Sequence, residues 1–444
     1  MPVKTFHEIR DPIHVFVKLD DDEREVLNSR PFQRLRHIHQ LALTYLVYPG
    51  ATHKRFEHSL GVMELAGRVF DVITNPNNVS DPIRNALHPL RDGDERSYWR
   101  SALRMAALCH DIGHLPFSHA AEAQLLPEGW DHERMTREFI CSDEMKSIWC
   151  SVTPPLRPTD LVKLAVGPRK ASDLEFSDWE AILSEVIVGD AFGVDRMDYL
   201  LRDSHHVGVA YGKFDHYRLI DTLRILLPPA NKDGRSEEPG LGVERGGLES
   251  AEALMLARYF MYSQVYLHHI RRIYDIHLTD FLKEWLPGGE FSTELASHLK
   301  VTDNEITGAL LTSAFDGGAP GHIHARRIIR RQHFKVVYER NPADVEINPE
   351  AGKAVFDALC NEFGAEHFRH DRYQQRGGST DFTVRLRDGA EASSLSLSQT
   401  LKNVPVVSVD NVFADRSVID KASGWRAEHR PRLIKPNKEG VGNG

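Results

Sequence analysis

The sequence has few cysteines and no long apolar run, and both absences limit what kind of protein it encodes. Its four cysteines show no paired spacing, which favours free thiols in a reducing cytoplasm over a disulfide-bonded secreted domain. No apolar stretch approaches the roughly 18 residues that a membrane-spanning helix needs. Residues 1–10 lack the charged-then-apolar pattern of a signal peptide. We therefore expect a cytoplasmic protein without membrane partners.

An excess of positive charge is also absent. The formal net charge is −9, from 55 Lys and Arg against 64 Asp and Glu. This balance argues against nucleic-acid binding driven by overall charge and leaves nucleic acid as a disfavoured partner. The 444 residues, 41% of them hydrophobic, are enough for one large core with a smaller appended domain. Many of the 24 histidines precede residue 217, which indicates where to look for chemistry.

The periodicity of apolar residues predicts a mainly α-helical protein. Residues 6–19 predict a short strand pair with Asp11-Pro12 as its turn, and the signals that follow are almost wholly helical. The polar segment 228–240 predicts a mobile loop between two short strands, and a long helix is predicted over 249–286.

The distribution of these segments predicts three parts. Residues 1–290 would form a helical core that includes the strand pair and the long helix. Residues 291–425 would form a smaller α+β region, because a clear strand reappears at 334–338. The Pro-, Gly- and Lys-containing stretch 426–444 is typical of a disordered tail.

Two His-Asp dipeptides occur, and their surroundings distinguish them. His110-Asp111 follows an apolar run of helical periodicity over residues 102–108 and precedes Gly113. His370-Asp371 lies in a polar, Arg-rich stretch without such a scaffold. We interpret the first pair as metal ligands and the second as surface residues.

Two further residues complete a candidate metal site. Two imidazoles and two carboxylates nearly neutralise a divalent ion, leave coordination positions for water and a phosphate oxygen, and suit hydrolysis. Arg55 lies one helical turn before His58, where it would place a phosphate-binding cation beside a ligand. The four predicted ligands are His58, His110, Asp111 and Asp195.

Asp195 also begins a polar stripe. Asp195, Tyr199 and Asp203 recur every four residues, while apolar residues between them point to the core. Ordinary alternatives exist: a single His is more often exposed or satisfied in the core, and Asp195 alone would serve as an N-terminal helix cap. The joint occurrence of these residues favours the metal site.

Four blocks carry the strongest signal, in the order Phe32–Arg36, Arg55–Val62, Cys109–His119 and Val194–His206. Together they resemble the HD-domain deoxynucleoside triphosphate triphosphohydrolases, in particular the branch with the human sterile-alpha-motif and HD-domain enzyme and its bacterial homologues. The resemblance extends from Asp11 to about residue 286, and more weakly over 403–415. It implies an HD-domain helical core that hydrolyses a dNTP to a deoxynucleoside and inorganic triphosphate by attack of water on the α-phosphorus.

The resemblance implies catalytic imidazoles near the metal. The candidates are His114, His119 and His132, which can stabilise charge or donate a proton to the departing 5'-oxygen. Glu122 lies one turn from His119 and can orient that ring, although the family usually has Asp at its position. One divalent transition ion is expected, with Fe, Mn, Zn and Ni all admissible, and Mg would accompany the substrate triphosphate.

A substrate site is implied as well. Arg258, Tyr262 and Tyr266 recur every four residues on the predicted long helix, so they would line one wall of a pocket. Gln40 and Asp203 would bond the 3'-hydroxyl, and a tight aromatic fit at the 2'-carbon would exclude ribonucleotides. The substrate-binding candidates are Gln40, Leu41, Arg55, Arg196, Tyr199, Asp203, His205, Arg258, Tyr262 and Tyr266.

Regulation by a nucleotide is implied near Asn28–Arg36, where a guanine nucleotide drives tetramer formation in the animal enzyme. This chain keeps Gln33 and Arg36 but has Asn28 where an Asp is expected, so guanine specificity does not carry over. We expect a homo-oligomer, with a tetramer favoured, and an activating nucleotide at its interfaces.

Two other functions stay open. Another HD phosphohydrolase would act on nucleoside monophosphates, (p)ppGpp or cyclic dinucleotides, but monophosphate enzymes tend to be shorter and would have no use for the Arg-Tyr stripe. A nucleotide sensor or single-strand nucleic-acid binder would keep the fold without catalysis, and the complete set of metal ligands argues against it.

Overall fold

The computed structural model describes residues 6–118, 122–228, 238–374 and 380–435, and it is mainly α-helical, as predicted. The first α-helices are α1 (Asp21–Asn28), α2 (Arg30–Arg34), α3 (Arg55–Ile73), α4 (Asp81–Ala86), α5 (Gly93–Cys109), α6 (Glu122–Leu125), α7 (His132–Ile140), α8 (Asp143–Ser151), α9 (Pro158–Lys170), α10 (Asp178–Val188), α11 (Val194–Val207), α12 (His216–Thr222) and α13 (Leu248–Met261). The later ones are α14 (His269–Trp285), α15 (Leu295–His298), α16 (Asp303–Phe315), α17 (His322–Ile329), α18 (Pro342–Ile347), α19 (Ala351–Phe363), α20 (Ser394–Leu397), α21 (Gln399–Lys402) and α22 (Ile419–Leu433). The strands are β1 (His7–Asp11), β2 (Val15–Leu19), β3 (Leu223–Leu226), β4 (Gly240–Glu244), β5 (Lys335–Glu339), β6 (Phe368–Gln374), β7 (Thr383–Arg385), β8 (Glu391–Ser393) and β9 (Ser408–Ala414).

The predicted N-terminal strand pair is confirmed. Strands β1 and β2 form an antiparallel hairpin in which Ile9 pairs with Val17. Asp11 turns the chain, because its Oδ1 accepts the backbone N–H groups of Ile13 and His14, each at 2.8 Å. The turn buries the His14 side chain, so the hairpin contributes an imidazole to the interior of the helical core.

Helix α3 is the central helix of this core. Its apolar residues recur at helical spacing and are buried, from Phe56 through Leu60 and Met63 to Phe70. The helix contacts α5, α10 and α11, so polar side chains on its first turn lie where several helices meet. Gly61 permits the approach of α11, because a Cβ at this position would lie 1.9 Å from a carboxylate oxygen on that helix.

A small four-stranded sheet joins distant parts of the sequence. Its order is β3-β4-β7-β8, in which β3 and β4 are antiparallel and β4 and β7 are parallel. The two short strands predicted around the segment 228–240 are therefore present. The mobile loop predicted between them falls largely on residues 229–237, which lie outside the described residues.

The prediction of one continuous helix over 249–286 is wrong. The chain instead forms α13, a π-helical segment over Tyr262–Tyr266, and α14. A π-turn holds more residues than an α-turn, and apolar periodicity does not reveal a single wider turn. The four-residue spacing of Arg258, Tyr262 and Tyr266 therefore does not define one face of one α-helix.

The chain divides into two compact units. The first consists of Met1–Met261, Phe291–Ile306 and Gly378–Pro405, and the second of Tyr262–Glu290, Thr307–Gly377 and Val406–Gly444. This division differs from the predicted boundary at residue 290, because segments on both sides of it belong to each unit. The segment 291–306 belongs to the first unit because Phe291 N–H donates to Leu125 O at 2.8 Å and His39 Nδ1 lies 2.6 Å from Asp303 Oδ2.

The second unit contains a three-stranded antiparallel sheet in the order β5-β9-β6. Helices α19 and α22 pack with it through an apolar cluster that includes Val355, Leu359 and Trp425. The disordered tail predicted from residue 426 is wrong as far as Leu433, because α22 continues to that residue and packs on the cluster. The rest of the predicted tail, from residue 436, lies outside the described residues.

The second His-Asp pair lies on β6, where neighbouring side chains point to opposite faces. His370 Nε2 is 2.7 Å from Asp410 Oδ1, and the Arg272 guanidinium donates to both Asp371 oxygens at 2.5 and 2.9 Å. Asp371 is buried, so its predicted surface position is wrong. The sequence context nevertheless distinguished the two pairs, since this one is occupied by structural contacts.

Within the described ranges, none of the helices combines the length and apolar character that crossing a bilayer requires. All four cysteines are free thiols. Cys109, next to the first His-Asp pair, is buried, and burial raises the pKa of its thiol.

Candidate metal centre and catalytic cavity

Three side chains from separate helices converge on one point of the first unit. His58 lies on the first turn of α3, His110 directly follows α5, and Asp195 lies on the first turn of α11. One potential ligand atom from each residue lies within 4.8 Å of those of the other two. His58 Nε2 is 3.1 Å from Asp195 Oδ1. The fold thus brings together three of the four predicted ligands.

Both imidazoles are oriented by a hydrogen bond at Nδ1. His58 Nδ1 donates to Asp198 Oδ2 at 2.8 Å, and His110 Nδ1 donates to Ala107 O at 2.8 Å. Because these acceptors hold a proton on each Nδ1, the lone pair of each neutral ring lies on Nε2, the atom that faces the other ligands. The second contact of each ring therefore prepares it to bind a metal ion.

The fourth predicted ligand, Asp111, lies beside this group. Its Oδ1 is 3.3 Å from His110 Nε2, and its Oδ2 is 3.7 Å from His58 Nε2. The same carboxylate contacts the buried guanidinium of Arg55, and its Oδ1 is 3.2 Å from His114 Nε2. Burial raises the pKa of Asp111, but the charges of Arg55 and His110 outweigh burial and hold it well below its ordinary value. Asp111 is therefore an anion shared between the metal centre and Arg55.

The charges at this point favour a bound cation. Burial raises the pKa of Asp195, but the neighbouring imidazoles of His110 and His58 outweigh it and lower the pKa. Burial opposes the charged form of His58, yet hydrogen bonds to Asp195 and Asp198 raise its pKa to about 10. His110 Nε2 is buried and makes no hydrogen bond to any described residue, as expected of a ligand nitrogen. These nitrogen and oxygen donors fit a divalent ion.

A second cluster next to the centre contains three of the predicted catalytic residues. The rings of His114 and His132 stack with centroids 3.9 Å apart, and His132 Nδ1 is 2.7 Å from Glu122 Oε1. Burial and the charge of Arg55 hold the pKa of His114 well below its ordinary value. Burial also opposes the charged form of His132, but the hydrogen bond to Glu122 outweighs it and raises the pKa. The stack thus pairs an imidazole whose pKa is lowered with one whose pKa is raised.

The role predicted for Glu122 changes with this geometry. The sequence suggested that Glu122 orients His119, which lies outside the described residues. In the structure Glu122 Oε1 instead accepts the backbone N–H of His132 at 2.6 Å as well as its ring proton. Glu122 therefore holds the first residue of α7, a long-range contact that sequence spacing did not indicate.

A buried network behind the candidate metal centre was not predicted from the sequence. Asp198 holds His58, and its two oxygens also accept from His14 Nε2 at 2.6 Å and from the Arg202 guanidinium at 2.8 and 2.9 Å. Arg202 donates further to Asp11 Oδ2 at 2.8 Å. The four-residue spacing of Asp198 and Arg202 on α11 is a recognisable helical ion pair. Nothing local in the sequence points to His14 or Asp11.

Arg34 is a second missed residue. It is buried, and burial lowers the pKa of its guanidinium to about 9. Its Nη1 donates to His114 O at 2.8 Å, and its Nε donates to Val301 O at 3.1 Å. Arg34 therefore fixes the backbone of the His-Asp loop from behind, although the sequence block that contains it gave no sign of this role.

The predicted sugar ligands Gln40 and Asp203 are linked through His53. Gln40 N–H donates to His53 O at 3.0 Å, and His53 Nε2 is 2.7 Å from Asp203 Oδ1. Gln40 Oε1 is buried and has no hydrogen-bond partner among the described residues, so it is available to a ligand hydroxyl. Leu41 is buried, and Tyr199 lies one turn from Asp203 on α11.

The candidate metal centre opens into a cavity of about 700 Å³. His110, Asp111 and Asp195 line the cavity together with His132. The predicted phosphate ligand Arg196 lies beside it and donates from Nη1 to Gly189 O at 3.1 Å. A cavity of this size suits a nucleotide-sized ligand.

The remaining predicted substrate residues are His205, Arg258, Tyr262 and Tyr266. His205 is exposed at the end of α11. Arg258 belongs to the first unit, whereas Tyr262 and Tyr266 belong to the second, where their rings form a T-shaped pair with centroids 5.2 Å apart. The predicted wall made by these three side chains therefore stays a prediction.

The predicted regulatory residues lie around the end of α1 and along α2. Asn28 is exposed at the C-terminus of α1. Gln33 Nε2 donates to Leu27 O at 2.7 Å, and its Oε1 accepts from Arg36 Nε at 3.0 Å. The Arg36 guanidinium also stacks 3.4 Å from the centroid of the Phe56 ring. These contacts hold Gln33 and Arg36 next to each other, and binding of a nucleotide there stays a prediction.

Two family models match this chain. The HD domain matches residues 55–149, and the HD associated region matches residues 214–360. The first range contains His58, His110 and Asp111, and Asp195 lies between the two ranges. The match therefore covers three of the four candidate ligands.

Individual relatives extend the similarity over most of the chain. The uncharacterized protein YwfO of Bacillus subtilis is 34% identical over 275 residues, which cover 62% of this chain and 54% of YwfO. The human deoxynucleoside triphosphate triphosphohydrolase SAMHD1 is 30% identical over 378 residues, which cover 77% of this chain and 56% of SAMHD1. A solved structure of a hypothetical protein from Aquifex aeolicus matches with a TM-score of 0.74 at 30% identity, over 94% of this chain and 99% of that one. The chain spans about half the length of several curated relatives.

Proposed function

Because this chain belongs to the HD-domain family, in the branch that includes SAMHD1 and its bacterial relatives, we propose that it is a metal-dependent deoxynucleoside triphosphate triphosphohydrolase. The coarser assignment, a hydrolase of the HD superfamily, follows from the family. One observation carries the finer proposal. The Nε2 atoms of His58 and His110 and the carboxylate of Asp195 converge within 4.8 Å, at a cavity of about 700 Å³.

His58, His110, Asp111 and Asp195 would hold one divalent transition ion, and Fe, Mn, Zn and Ni all accept two imidazoles and two carboxylates. Such an ion would lower the pKa of a water molecule or polarise a phosphate oxygen. Arg55 contacts Asp111 directly, so it places a positive charge beside the ligands where a phosphate group would bind. Arg196 and Arg258 would bind the rest of the triphosphate.

The stacked histidines would manage the proton of the leaving group. Attack of water on the α-phosphorus breaks the bond to the 5'-oxygen, which then needs a proton. Glu122 binds His132 at Nδ1 and raises its pKa, so His132 Nε2 would deliver this proton. The neutral ring of His114 lies against it at a centroid distance of 3.9 Å and would keep it in place.

The deoxyribose would bind between Gln40 and Asp203. The buried Gln40 Oε1 would accept a hydrogen bond from the 3'-hydroxyl, which would satisfy an atom without a partner among the described residues. Asp203, fixed by His53 at 2.7 Å, would bind the same hydroxyl. We propose that Tyr199 and Leu41 pack against the sugar and leave no room for a 2'-hydroxyl.

Product analysis tests this function. Purified protein is incubated with each dNTP and each matching NTP, and the products are separated by ion-exchange chromatography. The proposal predicts a deoxynucleoside and inorganic triphosphate from dNTPs, and little product from NTPs. Release of pyrophosphate or orthophosphate would indicate another HD phosphohydrolase instead.

We further propose that the active form is a homo-oligomer, with a tetramer favoured, and that a nucleotide activates it. The contact of Gln33 with Arg36, and the stacking of Arg36 on Phe56, support a nucleotide site near α2. Light scattering after size-exclusion chromatography, with and without each nucleotide, measures the assembly. A mass that stays that of one chain under all conditions contradicts this part of the proposal.

A further inference from the structure

The cavity extends beyond the metal centre to a wall that the candidate substrate residues do not include. This wall consists of the C-terminal part of α9, residues 165–170, and the turn after α10, residues 188–192. The chain bends at Gly167, which has a φ of 73°, and Pro168 follows it. The bend presents Arg169 and Lys170 at the cavity that also contains His110, Asp111 and Asp195.

Arg169 contacts a carboxylate on the opposite side of this wall. Its guanidinium meets Asp190 Oδ2, and 83% of the Arg169 side chain and 40% of the Asp190 side chain are exposed. An ion pair this exposed contributes little to the stability of a protein, because solvent screens it. The Asp190 carboxylate can therefore be exchanged for a stronger anion without a large loss of stability.

Asp190 is surrounded by more positive charge than it can neutralise. Arg196 Nη2 lies 3.7 Å from its Oδ1, and the Arg196 guanidinium also donates to the carbonyl of Gly189. The positive charge of Arg258 acts on the same carboxylate. The charges of three guanidinium groups thus act on the Asp190 carboxylate, and Glu185 is the acid that interacts with it, so positive charges outnumber negative ones here.

Lys170 adds no unpaired positive charge to this wall. Its Nζ lies 2.6 Å from Asp131 Oδ2 and 3.1 Å from Glu133 Oε1, so two carboxylates already occupy it. Arg169, in contrast, pairs with the carboxylate of Asp190, and other arginines act on that same carboxylate.

We propose that Arg169 is a phosphate ligand of the cavity and that Asp190 competes with the substrate for it. When a nucleoside triphosphate binds, its terminal phosphates take the place of the Asp190 carboxylate on Arg169 and Arg196. The inference rests on the proposed function, because it takes the ligand to carry a triphosphate. It adds Arg169 as a specificity-determining residue and explains why an acid lies among arginines in a phosphate site.

The two substitutions should act in opposite directions. Isothermal titration calorimetry of the full chain with inorganic triphosphate gives Kd, and steady-state assays with a dNTP give KM and kcat. Arg169→Ala removes charge-assisted hydrogen bonds and should raise Kd and KM roughly tenfold or more with little change in kcat. Arg169→Lys keeps the charge but not the fork and should fall between Ala and wild type. Asp190→Asn removes the competitor and should lower Kd by a factor of roughly two to five.

The exposed pair Arg100–Asp71, joined by hydrogen bonds of 2.7 and 2.8 Å on α5 and α3, provides the matched control. Arg100→Ala and Asp71→Asn should leave Kd and KM unchanged. Equal values for Arg169→Ala and Arg100→Ala, or weaker binding by Asp190→Asn, would overturn the inference. If the wild type hydrolyses no dNTP but its binding of inorganic triphosphate still depends on Arg169, the proposed function fails and the phosphate site stands.

Discussion

His58 Nδ1 donates a hydrogen bond of 2.8 Å to Asp198 Oδ2, and this contact joins the candidate metal centre to the buried interior of the first unit. The same carboxylate accepts from His14 and from Arg202. Burial raises the pKa of Asp198, but these donors and the charge of Arg202 hold it well below its ordinary value. One ionised carboxylate therefore sets both the orientation and the tautomer of a predicted ligand.

Replacing Asp198 with Asn should weaken metal binding without removing any ligand. The amide has no negative charge and cannot accept from His58, His14 and Arg202 as the carboxylate does. We expect a loss of about 10- to 100-fold in metal affinity and a loss of about 3 kcal/mol in the free energy of unfolding. Titration of chelator-treated protein with the metal and urea denaturation measure the two effects. Asp173→Asn, at an exposed pair with Arg137, is the control, and equal metal affinity in both variants contradicts the role of Asp198.

The two His-Asp pairs allow a direct test of the metal centre. His110→Ala should abolish stoichiometric metal binding and reduce hydrolysis by more than about 100-fold, because loss of a ligand should exceed loss of a contact behind it. His370→Ala changes the second His-Asp pair, on β6, where His370 contacts Asp410. This variant should retain its metal and its activity. Elemental analysis of both purified variants and a dNTP assay provide the measurement. Normal metal content in His110→Ala would exclude His110 as a ligand.

The sequence predicted the site better than it predicted the contacts that support it. His58, His110 and Asp195 lie in short motifs whose residue types suit a divalent ion, and the structure brings these three side chains together. His14 and Arg34 act through contacts with residues 184 and 80 positions away, and no local pattern encodes such a distance. The partner of Glu122 was missed for the same reason, since His132 lies ten positions later across a loop.

The pH dependence of catalysis should report His132. Its pKa is raised above the ordinary value for histidine, so the protonated form is present below that raised pKa and is lost as the pH rises through it. Because the hydrogen bond that His132 donates to Glu122 is the main raising influence, Glu122→Gln should lower this pKa. The alkaline limb of the profile of kcat/KM against pH should move to lower pH. Glu144→Gln, at an exposed pair with Arg30, is the control, and a shift to higher pH in Glu122→Gln would contradict His132 as the acid.

Gly61→Ala should destabilise the protein even though alanine favours helices. A Cβ at residue 61 would lie 1.9 Å from Asp198 Oδ1 and 2.5 Å from Arg202 Nη2, so the network must shift. We expect a loss of about 1–3 kcal/mol in the free energy of unfolding and weaker metal binding. Gly308→Ala lies in α16, where a Cβ meets nothing within 4 Å, and should instead stabilise by about 0.5–1 kcal/mol. Urea denaturation of both variants decides whether the clash or the helix propensity prevails.

Apolar periodicity in the sequence likewise predicted some elements of the fold and missed others. The hairpin lies within the range predicted for the strand pair, and α3 follows from the helical spacing of its apolar residues. The π-helical segment at Tyr262–Tyr266 was not predicted, because one wider turn hardly changes the spacing of apolar residues. α22 was missed because its apolar side chains, such as Trp425, pack on a cluster formed by a helix and strands from distant parts of the sequence.

Gly113 has a consequence for how this motif can vary. Its backbone N–H donates to Thr136 Oγ1 at 3.1 Å, and a Cβ there would lie 2.2 Å from His132 O and 2.3 Å from Thr136 N. Both contacts are with the backbone of α7, which cannot move aside as a flexible side chain would. Substitution of Gly113 should therefore be poorly tolerated in any mutant library of this loop. In a search of genomes for functional homologues, the glycine should be required together with His110 and Asp111.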